Sequence, residues 1–312
     1  MDNEIIFLKP VFKEKIWGGD RLRTDFCYDT PSDTTGECWA ISAHPNGDCV
    51  ISEGIHKGKH LSELWNEHRE IFGNAEGNCF PLLIKIIDAK QDLSIQVHPN
   101  DEYAKIHENG SLGKTECWYV LDCDDDATIV IGHNAKDKTE MESMIRNKRW
   151  NEFFREIPVH KGDFFQINPG CLHAIKGGTM ILETQQNSDI TYRVYDYDRL
   201  QNDKPRELHI EKSLDVITAP FEKKQSLPTV IKNDCYNVTR LVKCDYYTVE
   251  KIDVKDKAMI EQSYCFMNVS VIDGCGMVNG KPIKKGSHFI IPYGCADVEF
   301  IGEMTLIVSY VG

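Results

Sequence analysis

Apolar residues along the chain come in short runs, most of them bounded by turn-forming residues: PLLIKIIDA (81–89), DLSIQVHP (92–99), ECWYVLD (116–122), ATIVIGH (127–133), DFFQINPG (163–170) and TMILETQ (179–185). Runs of this length, rich in β-branched and aromatic residues, predict the short strands of a barrel or sandwich. Two stretches carry a helical period instead. In HLSELWNEHREIFG, the residues Leu61, Leu64, Trp65, His68 and Phe72 share one face, and Gly73 supplies a stop. In 137–156, Met141, Met144 and Ile145 line one side while Trp150, Phe153 and Phe154 drift off it. That drift predicts two short helices rather than one.

The segment TAPFEKKQSLPTV (218–230) has two prolines, a charge cluster and no period, so it reads as a linker. Beyond it strands resume (TVEKIDV, CFMNVSVI, SHFIIPYG, MTLIVSYV) with no helical stretch. The expected division is a larger domain at 1–220 with short helices and a small all-β domain at 221–312. A weak repeat ties the two together. Gly162 and Gly170 stand eight apart with His173 three further on; Gly286 and Gly294 are again eight apart, but Asp297 stands where the histidine was. Both copies resemble the second cupin motif, G-x5-P-x-G-x2-H, apart from a shifted proline in the first and the lost histidine in the second. The resemblance implies a mainly β protein of two cupin-type jelly-roll barrels, of which the first keeps its metal ligand and the second is degenerate.

Composition narrows the class. The chain has 312 residues, 41% hydrophobic and 27% charged, which suits two globular domains with real cores. Its first residues, MDNEIIFLKPVFKEKIWGG, carry acids early and lack the apolar run of a signal peptide. No later stretch approaches the roughly 18 apolar residues of a membrane span. Twelve cysteines are scattered without a C-x-x-C pair, as expected of reduced thiols in a cytoplasmic protein. The net charge of −13 argues against nucleic acid as a partner. A small anionic substrate then requires cations focused in one cleft. A monomer or a homodimer is the expected assembly.

Candidate chemistry begins with Ser94-Ile95-Gln96-Val97-His98-Pro99. Residues two apart on a strand share a face, so Ser94, Gln96 and His98 form a polar column that a barrel interior tolerates only if it is paired or coordinated. Glu116 heads the next strand, and His173 follows the Pro169-Gly170 turn. Two histidines and a carboxylate from different strands, with an amide nearby, suit a divalent ion with open positions; zinc, iron and manganese all fit. The stretch Leu182 to Arg199 is dense in hydrogen-bonding groups where a core strand would be apolar, and it places Arg193 as a fixed cation facing the same barrel.

Together with Trp17-Gly18-Gly19, Gly36-Glu37-Cys38-Trp39, LSIQVHP, GKTECWYV, PGCLHAI and ETQQNSDITYRVYDYDR, these motifs resemble the short bacterial form of the type I mannose-6-phosphate isomerases. The resemblance covers the first domain nearly end to end. It implies one zinc ion per chain, with His98, Glu116 and His173 as ligands and Gln96 at the position of a fourth. It also implies a sugar-phosphate substrate, contacted by Ser94, Lys114, Trp17 and Glu37, and an active-site arginine at Arg193. The implied reaction moves a proton between C2 and C1 of an open-chain sugar through an enediol. Glu183 is the expected base and Arg193 the electrostatic stabiliser; Lys114 is expected to bind phosphate or, if desolvated, to act in proton transfer, with binding the favoured role. The large helical insertion of longer relatives is missing. Two rival readings are a metal-dependent dioxygenase or epimerase on the same scaffold and a sugar-binding cupin without catalysis.

Overall fold

The computed structural model describes residues 4–223, 228–232 and 234–312; part of the expected linker, residues 224–227, lies outside the described residues. The fold is mainly β. One six-stranded sheet has the order Phe164–Ile167, Glu116–Cys123, Thr179–Gln186, Leu82–Ala89, Thr35–Ile41, Val11–Glu14. A five-stranded sheet runs Phe154–Pro158, Thr128–His133, His173–Ile175, Ile95–Val97, Tyr192–Tyr195. From Leu82 to Tyr195 the chain passes repeatedly from one sheet to the other, the wiring of a jelly roll.

Alternation along each strand explains how the layers stack. In Leu82–Ala89 every residue is buried, and the apolar ones divide between two cores. Leu82, Ile84 and Ile86 join Cys117, Met180 and Leu182 in a core shared with Leu241, Val249 and Ile307 from the C-terminal part of the chain. Ile87 and Ala89 point the other way, to Trp118, Val120 and Ile181 and across to Ile129, Ile131 and Ile175 of the five-stranded sheet. A strand covered on both faces reads as a continuous apolar run, as this one does. The outer face of the five-stranded sheet puts Ile95, Val97 and Val130 against Met141, Met144 and Ile145 of the helix Lys138–Arg146, against Phe153, and against Leu214 of the helix Ile210–Val216. The six-stranded sheet is thus a middle layer between the five-stranded sheet and the C-terminal part.

That part is a ten-stranded sheet packed on its own core of Val269, Val271, Phe289, Ile291, Phe300 and Leu306, with no helix after Val216 among the described residues. The strand Ile6–Lys9, from the start of the chain, pairs within it against His288–Ile291. The two glycine repeats have a common backbone form: Gly162, Gly170, Gly286 and Gly294 all have φ between +70° and +89°, and each pair brackets one strand, Phe164–Ile167 or His288–Ile291. Both expected helical stretches are present. Leu61–Glu67 continues into the 3-10 turn Arg69–Phe72 and ends on Gly73 at φ +61°, and the second stretch divides into Lys138–Arg146 and Trp150–Phe153.

A buried polar chain links the N-terminal part of the chain to the ten-stranded sheet. Tyr28 Oη lies 2.6 Å from His288 Nε2, and His288 Nδ1 lies 2.9 Å from Ser270 Oγ. Burial pushes the His288 imidazole down to about 3, so it is neutral at physiological pH. The unfolded chain takes up that proton near pH 6.5. Stability therefore declines as pH falls below about 6.5 and approaches 3, with a limiting slope of about 1.4 kcal/mol per pH unit from this group. Thermal melts at pH 7 and pH 5 should show a smaller acid shift in His288→Gln than in the wild type. Equal shifts would remove His288 as a source of acid lability.

Candidate metal and active site

The site forms where the inner faces of the two sheets meet. In the five-stranded sheet, His173 is in register with Gln96, and Gln96 with Arg193, so three neighbouring strands carry a row of polar side chains on one face. In the facing sheet, Trp118, Glu183, Lys85 and Trp39 form a second row across four strands. The Trp118 ring lies 5.5 Å from the His173 ring and joins the rows.

His98, Glu116 and His173 converge between them. His98 Nε2 and His173 Nε2 are 3.2 Å apart, and they lie 3.5 and 3.4 Å from the two oxygens of Glu116. All three residues are at most 1% exposed. Each imidazole places its other nitrogen, Nδ1, 2.8 Å from a backbone carbonyl oxygen, that of Ile190 for His98 and that of Cys171 for His173. Each carbonyl accepts a hydrogen bond from Nδ1–H and so leaves the Nε2 lone pair free, the tautomer a metal ligand needs. Burial pushes His98 down to about 3, helped by the Lys114 ammonium, and burial lowers His173 as well. Burial opposes ionisation of Glu116, but Lys114 and His98 outweigh it and hold the carboxyl well below its usual range. Among the described residues neither Glu116 oxygen receives a well-directed hydrogen bond, although Lys114 Nζ is 2.7 Å from Oε2.

These separations test the fit to an ion. Ligands at about 2.1 Å around a tetrahedral centre stand about 3.4 Å from one another. The imidazole–imidazole distance and each imidazole's distance to its nearer Glu116 oxygen are close to that spacing, His98 facing one oxygen and His173 the other. Two neutral imidazoles and an ionised, under-bonded carboxylate can therefore hold a divalent metal ion with little rearrangement, and they are the one such group among the described residues.

Positively charged groups surround this point. The Lys114 ammonium lies 3.9 Å from Glu183; burial opposes its charge, yet Glu116 and Glu183 prevail and hold its pKa above the usual lysine value. Glu183 accepts a 3.2 Å hydrogen bond from Trp118 Nε1, and burial together with Glu116 raises its pKa. Ser94 Oγ is 3.4 Å from Gln96 Oε1, and Gln96 Nε2 is 3.4 Å from His173 Nε2. The Arg193 guanidinium donates to the Glu207 carbonyl at 2.9 Å, while its buried Nε has no hydrogen-bond partner among the described residues. Arg193 and Trp17 line a cleft of about 440 Å³ together with Lys15 and Arg206. Lys15 is in turn 3.2 Å from Glu37, whose carboxyl is held down to about 2: burial opposes ionisation, and Lys15 and Lys85 overcome it.

Every residue singled out from the sequence thus lies on the inner faces or on this cleft. Lys85 was missed. It is 5% exposed and its Nζ is 3.3 Å from Glu183 Oε2. The signal was a lysine in the middle of the mostly apolar run PLLIKIIDA, since a fully buried strand carries a charge only where a partner waits.

Comparison with known proteins agrees with this geometry. Residues 5–146 match the model of the phosphomannose isomerase type I catalytic domain, and residues 237–311 match the mannose-6-phosphate isomerase cupin domain. The chain is 50% identical to the mannose-6-phosphate isomerase ManA of Bacillus subtilis, over 99% of this chain and 100% of that protein. The chain belongs to the type I phosphomannose isomerase family. A mannose-6-phosphate isomerase of Streptococcus mutans is 46% identical over 98% of both chains. The crystal structure of the mannose 6-phosphate isomerase from Bacillus subtilis superposes with a TM-score of 0.97 at 48% identity, covering 98% of this chain and 99% of that one. The phosphomannose isomerase of Salmonella typhimurium, in a mutant structure, shares the fold at a TM-score of 0.78 with 16% identity over 99% of this chain and all of that one. As a member of this family the chain is an isomerase of cupin fold. No helix among the described residues is long and apolar enough to cross a membrane.

Proposed function

We propose that the chain interconverts mannose 6-phosphate and fructose 6-phosphate as a zinc-dependent enzyme, through an enediol. The observation that carries this reading is the triad itself: two Nε2 atoms and a carboxylate at tetrahedral spacing, inside a family of phosphomannose isomerases. Gln96 is the proposed fourth ligand. Turning its amide over would put Oε1 at the atom site now 3.4 Å from His173 Nε2, the same edge length as the others. When bound, zinc supplies a Lewis acid that polarises the carbonyl of the open-chain sugar.

The remaining roles fall to the chain's own side chains. Glu183 accepts the proton from C2 and returns it to C1, since it is the buried carboxylate beside the triad that is not itself a ligand. Lys114 keeps its proton, because two carboxylates raise its pKa, so it binds rather than abstracts. Arg193 cannot act as a base near neutral pH and stabilises the enediolate charge. Ser94, Trp17 and Glu37 are proposed substrate contacts. Charge supports the substrate class. Lys85, Lys114 and Arg193 formally cancel Glu37, Glu116 and Glu183, so a divalent ion leaves two positive charges over, with Lys15 adding to them at the rim. A phosphate monoester carries about −1.5 to −2 at pH 7. The cations this acidic protein needs for an anionic substrate are therefore concentrated at one place. Twelve free cysteines suit a reducing compartment, and the cytoplasm is the proposed location.

A coupled assay with mannose 6-phosphate tests the activity, and Glu183→Gln tests the base. The variant should keep one metal ion per chain and lose about 10²- to 10⁴-fold in kcat. Wild-type kcat in Glu183→Gln would exclude Glu183 as the base. A wild-type enzyme inert toward mannose 6-phosphate would sink the assignment as a whole.

A further inference from the structure

Trp39, the last residue of Gly36-Glu37-Cys38-Trp39, is 4% exposed and stands in register between Lys85 and Val11. Its indole Nε1 donates to Glu37 Oε2 at 2.7 Å. Lys85 Nζ lies 5.0 Å from its ring centroid while also 3.3 Å from Glu183, and Lys13 Nζ lies 5.1 Å from the same ring. The His44 ring meets it edge-on at 5.6 Å. Gly47 packs so closely that a Cβ there would sit 2.6 Å from Trp39 Cε3.

We infer that Trp39 is a positioning residue for substrate binding: its N–H fixes the Glu37 carboxylate and its ring fixes the Lys85 ammonium inside the isomerase site. The inference rests on the isomerase reading. Lysine has a long flexible stem, and an ammonium over an aromatic face is held by the ring quadrupole within about 6 Å. Without the ring, Lys85 has Glu183 as its one ion-pair partner among the described residues and collapses onto it. The indole keeps the ammonium between the carboxylate and the ring, where a phosphate or sugar hydroxyl can draw on it. The N–H bond does the same for Glu37, which otherwise follows the Lys15 side chain toward the rim. A purely apolar filler at position 39 would pack the same space and set neither group.

Kinetics on two variants separate these parts. Trp39→Phe keeps a ring for the ammonium and loses the N–H; Trp39→Leu loses both. The expected order of kcat/KM is wild type, then Trp39→Phe lower by about tenfold, then Trp39→Leu lower again, with most of each loss in KM and one metal ion per chain throughout. In a Glu37→Ala background the Trp39→Phe step should shrink to less than about threefold, because the bond it removes is already gone. Wild-type kinetics in Trp39→Phe, or an unchanged step in the Glu37→Ala background, would overturn the role. Metal content and melting temperature falling in proportion to kcat/KM would show a structural residue instead. The wild-type enzyme in the same assay keeps the two readings apart: its inactivity strikes at the isomerase assignment, whereas an active wild type beside an unaffected Trp39→Phe strikes at Trp39 alone.

Discussion

Replacing His98 with alanine is expected to strip the metal ion from the chain and abolish isomerisation with it. The imidazole is 1% exposed, its Nδ1 bonds to the Ile190 carbonyl, and its Nε2 forms two edges of the triad. Alanine removes one proposed ligand and leaves Glu116 Oε2 with Lys114 as its ion-pair partner, while His173 faces the other oxygen. Loss of a residue that only supports a ligand lowers metal affinity by about 10- to 100-fold, so loss of a ligand itself should exceed that range. Metal analysis after dialysis should find well under one ion per chain, and kcat should fall in proportion. Retention of a full, tightly held ion would remove His98 from the ligand set.

Arg193→Ala should separate chemistry from metal binding. Arg193 belongs to the row of His173 and Gln96, yet its guanidinium is tethered to the Glu207 carbonyl rather than to the triad. Burial and the neighbouring Arg206 lower its pKa, but it remains a cation at any physiological pH. Removing a fixed charge aimed at a developing oxyanion lowers kcat by about 10²- to 10³-fold. Metal content should hold at the wild-type level, and lysine should restore little because it lacks the planar fork. If metal and activity fall together in Arg193→Ala, the residue is structural and the enediolate must be stabilised by another group.

The sequence revealed the site more fully than it revealed the frame around it. Ser94, Gln96 and His98 were legible because alternation on a strand places them together, and a polar column in an apolar setting demands a partner. The two glycine repeats were legible because a left-handed φ leaves a mark that few other residues can replace. The helix Asp101–His107 escaped notice because it buries only Ala104 and so has no apolar stripe; Asn100 starts it by accepting from Tyr103 N at 2.9 Å. Ile210–Val216 buries just Ser213 and Leu214 and was equally silent. Pairing of Ile6–Lys9 with a strand some 280 residues away leaves no local trace at all. The roles of Lys85 and Trp39 depend on cross-strand register, which hydrophobic pattern alone does not fix between distant strands.

In the proposed enzyme three buried side chains share one catalytic metal ion. The most direct test is to assay mannose 6-phosphate isomerisation and metal content on the same sample, before chelation, after it, and after zinc is added back. The expected result is one ion per chain at the start, activity that disappears with the ion, and recovery when zinc returns. Full turnover by a chain shown to be free of metal would contradict it.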